Sequence, residues 1–241
     1  MLGGRVRLLQ PREGYRAATD PVLLAAAVAA RPGDRALDLG CGVGAAALCL
    51  AARVPGLTLM GLEREPAYVA LARRNAALNA SAFEVIEGDV AAPPPALRAR
   101  VFDHVLMNPP WFAAEAALPS PVALKDAAHR EQGAPLAVWI DTGLRRLVSR
   151  GRITVIQRTE RLPEILAALA GRAGAITVKP LAARHGRAAK RVIVEARKDV
   201  RGPLTLAAPI ILHGGPEHVA DGEDFTPEAA AILREGGALS W

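Results

Sequence analysis

Residues that would place the chain in several other classes are scarce. Only two cysteines, Cys41 and Cys49, occur in 241 residues. Neither has His or Cys partners at zinc-like spacing, so neither a disulfide framework nor a metal site is supported. Both are expected to be small buried residues. No apolar run exceeds the nine residues from Val22 to Ala30, half of the roughly 18 to 20 that a bilayer span needs. The first ten residues carry Arg5 and Arg7 but lack the apolar stretch of about 7 to 15 residues and the small-residue cleavage site of a signal peptide. A cytoplasmic protein with no membrane partner and no metal is the expectation. Internal repeats are missing, and no linker separates independent domains.

What is present is 51% hydrophobic residues, enough for one substantial core. At about 150 residues per domain the length gives about 1.6 domains, but one α/β domain often reaches this size. The charge is uneven. Lys and Arg number 30 and Asp and Glu 24, a net +6. Residues 179–201 hold Lys179, Arg184, Arg187, Lys190, Arg191, Arg197, Lys198 and Arg201 against Glu195 and Asp199. That is 8 − 2 = +6, so the other 218 residues sum to zero. Such a segment suits a polyanion contact surface; the plain alternative is a solvated basic hairpin.

Apolar β-like runs alternate with Ala/Leu/Arg stretches of helical length, the pattern of a parallel sheet with helices on both faces. The first helix is predicted to start at Thr19-Asp20-Pro21, with Asp20 as cap and Pro21 at the first helical position, and to end near Arg31-Pro32-Gly33. Strands are predicted at 35–39, 57–62, 83–86, 102–107, 152–157, 175–181 and 190–196. Helices are predicted at 44–53, 66–78, 135–149 and 161–170, with a short one around Leu97. The last two strands flank the basic loop. Residues 111–134 lack clean periodicity, and a loop this long inside a domain is usually functional. A final helix follows Thr226-Pro227, with Gly236 and Gly237 beyond its end.

The first strand runs into Asp38-Leu39-Gly40-Cys41-Gly42-Val43-Gly44. Glycines at a strand-to-helix turn let backbone approach a ligand and aim helix N-terminal N–H groups at it. Gly40, Gly42 and Ala45 also fit the dinucleotide fingerprint, with Glu63 placed as its ribose acid, which keeps a nicotinamide or flavin enzyme open. Asp38 before the first glycine and Gly88-Asp89 after strand three tip the balance. With them, this run closely resembles the cofactor loop of S-adenosylmethionine-dependent methyltransferases of the Rossmann-like class. The resemblance implies a mostly parallel seven-stranded sheet with a reversed last hairpin strand and helices on both faces. It also implies roles for three acids: Asp38 near the cofactor's methionine part, Glu63 on the ribose hydroxyls and Asp89 on the adenine amine. Gly40, Gly42 and Gly44 would form the cradle.

Strand four ends in Met107-Asn108-Pro109-Pro110-Trp111. Two prolines fix φ and supply no N–H, so carbonyl oxygens can point into a cleft as a rigid acceptor pair beside the Asn108 side-chain oxygen. Acceptors of this kind suit a planar –NH2 group. An adenine amine is a poor nucleophile, its lone pair delocalised into the ring. Hydrogen bonds to Asn108 and the Pro109 carbonyl would aim that lone pair at a sulfonium methyl, so positioning and electrostatics carry the catalysis. Trp111 offers a face on which a base stacks, worth about 1 to 3 kcal/mol. The motif resembles that of amino-methyltransferases, which usually carry Tyr or Phe where Trp111 stands. A plain turn with a core Trp is the alternative without chemistry.

Gln10 to Leu24, Ala128-His129-Arg130-Glu131, Leu212-His213 and Phe225 to Ala229 are similar to the bacterial valine-tRNA adenine N6-methyltransferase family. That resemblance implies S-adenosyl-L-methionine as cofactor and tRNA as partner, with the adenine 3′ of the anticodon as target. It makes residues 1–33 a segment over the cofactor and acceptor pocket, 34–197 the Rossmann-like core and 198–241 a C-terminal extension of a single domain. Tyr15, Arg16, Thr19, His129, Arg184, Arg187, Lys190 and Arg191 are the candidate substrate-binding residues. The runner-up in the same chemistry is a glutamine N5-methyltransferase acting on release factors. It is expected to carry a helical substrate domain before the cofactor fold, for which the 37 residues preceding Asp38 are too few. A ribosomal-RNA guanine amino-methyltransferase stays open; a dinucleotide oxidoreductase is opposed by Asn108-Pro109-Pro110, and a non-catalytic RNA-binding module by the intact site.

Overall fold

Strands that read as apolar on both sides need helices on both faces of their sheet, and the computed structural model of the chain has them. It describes residues 1–12, 16–111, 134–215 and 224–241; Tyr15, His129 and most of the long loop after Trp111 lie outside these. Alternating units build the first half: β1 (Arg35–Leu39), α2 (Ala45–Arg53), β2 (Thr58–Glu63), α3 (Pro66–Leu78), β3 (Glu84–Glu87), α4 (Pro95–Arg98) and β4 (Phe102–Met107). A buried helix α1 (Asp20–Ala27) precedes them. Then come α5 (Leu136–Arg146), β5 (Leu147–Arg158), α6 (Leu162–Leu169), β6 (Ala173–Ala182), β7 (Arg191–Lys198), β8 (Thr205–Leu206), β9 (Ile210–Ile211) and α7 (Pro227–Glu235).

All nine described strands join one sheet in the order β3-β2-β1-β4-β5-β7-β6-β8, with β9 also on β6. Only β7 runs against its neighbours, which makes it the reversed hairpin strand. The expected seven strands become nine because β8 and β9 pair with the outer edge of β6. Two-residue strands between Pro203 and the segment after Pro209 carry no periodicity to read. Alternation along each strand sorts the core into two layers. Ala36 and Leu106 pack with α1, α2, α3 and α7, while Leu37, Leu39, Val105 and Met107 pack with α5 and α6. Asp38 shares its face with Ala36, the α2 side. Both cysteines are buried and free.

The first helix departs from expectation at both ends. It stops at Ala27, since Val28 turns extended. Its open carbonyls are taken by outside donors: Arg53 on Ala25, the Leu239 N–H on Ala26 and the Trp241 indole on Ala27, at 2.9, 2.9 and 3.2 Å. Backbone groups satisfied from elsewhere need no further turn. At the other end Thr19, not Asp20, holds the cap position. Asp20 is buried within the first turn, where its carboxylate pairs with Arg191 of β7. Helix α5 also stops early, three residues before Ser149, and β5 starts at once with buried Leu147 paired to Phe102. In α7 the expectation is met in detail, as the Thr226 hydroxyl accepts the Ala229 N–H and Gly236 closes the helix in the left-handed region. Among the described residues, no helix is long and apolar enough to cross a membrane.

Candidate active site

In a doubly wound sheet ligands bind beyond the carboxyl ends of the strands, and here β1, β2, β3 and β4 end in Leu39, Glu63, Glu87 and Met107 on one edge. The loop after β1 turns through Gly40 to Gly44 into α2, with Gly40 and Cys41 N–H groups donating to the Leu62 carbonyl at 2.8 and 3.0 Å. The glycines of this loop serve different ends. A Cβ on Gly40 would lie 2.5 Å from the Trp139 ring, so α5, not a ligand, occupies that face. Gly42, at φ +54°, faces open space within 4 Å of its absent Cβ, leaving room for close ligand approach. Gly44 is the buried N-cap of α2, against Phe83.

Three acids surround this loop. Asp38 is 2% exposed. Burial pushes its carboxyl up to about 8, partly opposed by the Ala47 N–H of α2 and reinforced by Glu63. Its Oδ2 is buried with no hydrogen-bond partner among the described residues. Glu63 accepts the Gly42 N–H at 2.9 Å and the Glu65 N–H at 2.8 Å. Burial raises its carboxyl as well, against the lowering effect of backbone N–H groups from Glu65, Gly42 and Arg64. A carboxylate has about four lone-pair sites, which leaves capacity for a hydroxyl donor. Asp89, half-buried after β3, accepts the Ala91 N–H at 2.7 Å. An orphaned buried carboxylate oxygen beside an open glycine fits a ligand that brings its own ammonium group, and two acids further along the edge fit hydroxyl and amine donors. Those groups match S-adenosylmethionine.

The second half of the site follows β4. Asn108 accepts the Trp111 indole N–H at 3.4 Å, which ties the acceptor oxygen to the aromatic face. The prolines behave in part as expected. Pro109 is buried, and its carbonyl accepts from Gln157 Nε2 at 3.2 Å. The Pro110 carbonyl accepts from Gln157 at 3.1 Å and from Arg161 at 3.2 Å. Two lone pairs meet two donors there, so Pro110 has no capacity left. Of the two proline carbonyls only that of Pro109, with one donor, keeps a lone pair unassigned among the described residues.

Gln157, 1% exposed, and Arg161, 6% exposed, carry no motif by which a single sequence could announce them. Trp139, above the glycine loop, is equally silent.

Six of the eight expected substrate residues are among the described ones. Arg16 is exposed and Thr19 half-buried. Arg187 and Lys190 are exposed in the loop between β6 and β7. Arg191 pairs with Asp20, and Arg184 pairs with Asp224 at 2.5 Å, so these two guanidinium groups are already engaged within the fold. Asp224 also takes His213 Nδ1 at 2.5 Å, and His213 stacks on Phe225. The Arg184 guanidinium, and after it the His213 ring, holds the Asp224 carboxyl down to about 2. Among the described residues no group of His, Cys, Asp and Glu is arranged to hold a metal.

Fold and site together define an S-adenosylmethionine-dependent methyltransferase of Rossmann-like architecture, built to act on nitrogen. The chain belongs to the methyltransferase small domain family, whose model matches residues 18–179. It is 29% identical over 237 residues to the tRNA1(Val) (adenine(37)-N6)-methyltransferase of Porphyromonas gingivalis, with 92% of each chain covered. It is 41% identical over 101 residues to the release factor glutamine methyltransferase of Mycolicibacterium smegmatis, but that match spans only 41% of this chain and 35% of that protein. Among solved structures, a predicted O-methyltransferase from Agrobacterium tumefaciens superposes with a TM-score of 0.73 at 32% identity, covering 91% of this chain and 98% of that one.

Proposed function

We propose that the chain methylates the N6 amine of an adenine in tRNA, the base beside the anticodon of valine tRNA. The observation that carries this reading is the acceptor-only pair, Asn108 Oδ1 and the Pro109 carbonyl, held beside the glycine loop. An –NH2 group presents two N–H donors to two acceptors. A hydroxyl presents one, which sets the site against oxygen as acceptor despite the name of the Agrobacterium protein. End-to-end similarity to a tRNA adenine N6-methyltransferase supports adenine and tRNA, whereas similarity to the release factor enzyme is confined to part of each chain.

Bound S-adenosylmethionine supplies an electrophilic methyl on a sulfonium sulfur. The protein's own part is to hold and orient. Asp38 fits the ammonium, Glu63 the ribose hydroxyls and Asp89 the adenine amine, on the loop formed by Gly40, Gly42 and Gly44. Asn108 and Pro109 accept the two N–H groups of the target amine, twisting it so that its lone pair leaves conjugation and faces the methyl. Trp111 stacks on the target base. Positioning of this kind lowers the barrier without a strong base. Tyr15, Arg16, Thr19 and His129 shape the acceptor pocket in this reading, and residues 1–33 cover it. Arg187 and Lys190 hold the RNA backbone.

The test is labelled-methyl transfer to separate pools of tRNA, ribosomal RNA and protein, followed by nucleoside analysis. N6-methyladenosine in valine tRNA is the expected product. Label in methylguanosine of ribosomal RNA, or in a release factor, would replace this reading.

A further inference from the structure

A turn made of Asn-Pro-Pro has a particular difficulty. Pro109 and Pro110 bring two carbonyls and no N–H, so the segment cannot join a ladder, and the direction of its carbonyls must be set from outside. One side chain does this for both. Gln157, the penultimate residue of β5, lies with its Nε2 at 3.2 Å from the Pro109 oxygen and 3.1 Å from the Pro110 oxygen. Its Oε1 accepts the Arg158 N–H at 2.8 Å. Both amide hydrogens and one lone pair of the amide oxygen are thereby used, and these are the partners that the described residues offer the side chain. Arg161 takes the second lone pair of the Pro110 oxygen at 3.2 Å. It is itself held in a fork by Glu164, at 3.1 and 2.6 Å.

We infer that Gln157 is a positioning residue for methyl transfer: by fixing the Pro109 and Pro110 carbonyls, it leaves a single lone pair, on the Pro109 oxygen, aimed at the acceptor amine. This rests on Asn108 and Pro109 being the acceptor clamp. The consequence is a specific division of labour. Pro110 is a filled anchor that takes no part in substrate contact, and Pro109 presents one oriented site. The same stretch of chain reaches the basic loop, because the Thr159 N–H donates to the Lys190 carbonyl at 3.1 Å and its hydroxyl to the Ala189 carbonyl at 2.8 Å. Two residues after gripping the catalytic turn, the chain grips the loop that carries Arg187 and Lys190.

The experiment compares wild type with Gln157→Ala and Gln157→Glu, using as acceptor whichever pool the wild-type enzyme labels. A wrong substrate assignment then changes the pool, and leaves the comparison intact. For Gln157→Ala the expected result is a fall of about 10- to 100-fold in kcat, the scale on which a misplaced reacting group costs rate, with cofactor affinity by calorimetry unchanged and KM little moved. Gln157→Glu preserves shape. Protonated, it still donates one hydrogen bond to the carbonyls; ionised, it sets a negative charge against two carbonyl oxygens. Its turnover is therefore expected to approach wild type at low pH and to fall as pH rises, with an inflection that the wild-type profile lacks. Melting curves for both variants monitor the fold. Wild-type kcat in Gln157→Ala, or a wild-type pH profile in Gln157→Glu, would overturn the inference.

Discussion

Replacing Asp38 by Asn should stabilise the protein without cofactor as pH rises while weakening its hold on S-adenosylmethionine. The ordinary carboxyl value is 3.8, and in the fold burial carries Asp38 up to about 8. A raised carboxyl binds a proton more tightly in the folded than in the unfolded state, so its contribution to stability falls as pH climbs from about 4 to about 8. The slope is about 1.4 kcal/mol per pH unit for one such group. Between pH 5 and pH 7 that amounts to about 3 kcal/mol. The amide of the Asp38→Asn variant does not ionise, and the variant should lose this dependence. It carries a constant cost for an amide hydrogen placed where Oδ2 has no partner, so the informative quantity is the pH slope of the difference between the two proteins. That difference also cancels Asp20 and Glu195, the raised carboxyls not coupled to Asp38. For a chain of this size about 3 kcal/mol corresponds to roughly 6–12 °C in melting temperature. Cofactor affinity should drop about ten- to hundredfold, the worth of a lost hydrogen bond to a charged group. Scanning calorimetry from pH 5 to 8, with titration of the cofactor at each pH, reads both. Parallel melting curves for the two proteins across that range, together with equal cofactor affinity, would refute the assignment of Asp38.

Asn108→Ala should lower turnover by about 10² to 10³, by analogy with loss of a preorganised oxyanion donor, and leave cofactor affinity near wild type; full turnover on the true substrate would defeat the acceptor clamp. Asp20→Ala leaves Arg191, about a quarter exposed, without its buried partner and should cost about 1 to 3 kcal/mol in denaturant unfolding. Changing Arg187 and Lys190 to Gln together should reduce the slope of log K against log[salt] for tRNA by about 1.4 to 1.8, one phosphate contact each, with cofactor affinity unaltered; parallel lines would move the RNA to another face.

The placement of the candidate cofactor residues in the fold was largely legible because each of their signals is local. Asp38 to Gly44 is a contiguous run, β1 and β4 match their expected bounds residue for residue, and strand ends place Glu63 and Asp89 by simple alternation of elements. Asn108 to Trp111 was legible for the same reason. What sequence reading missed depends on contacts between distant segments. Gln157 meets Pro109 only because β5 lies beside β4 in register, with Val155 opposite Met107. Trp139 covers Gly40 only because α5 packs over the end of β1. Asp20 has every local mark of a helix cap, yet a cation 171 residues away claims its carboxylate. Short strands fail for another reason: β8 and β9 hold two residues each, below the length at which any period shows.

The basic segment shows how a sequence window can mislead about a surface. All of the net charge lies within 23 residues, but β7 is extended, and about 3.3 Å per residue carries its eight residues across the sheet. Arg191 therefore stands at the edge near Asn108, while Arg197 and Lys198 stand at the opposite edge, about 20 Å away on that rise. Lys198 directs its ammonium to the Leu147 carbonyl at 2.8 Å, and Lys179 is buried in β6. Arg184 and Arg191 hold Asp224 and Asp20. Of the eight cations, the two exposed ones in the loop beside the edge with Asn108 are Arg187 and Lys190. An RNA backbone held at this edge would meet those two first, which is why the expected salt slope is set by two phosphates and not by the four that a count over the loop alone suggests. The paired arginines act one step back: they tie Asp20 of α1 and Asp224 to the end of the sheet where the Asn-Pro-Pro turn is held.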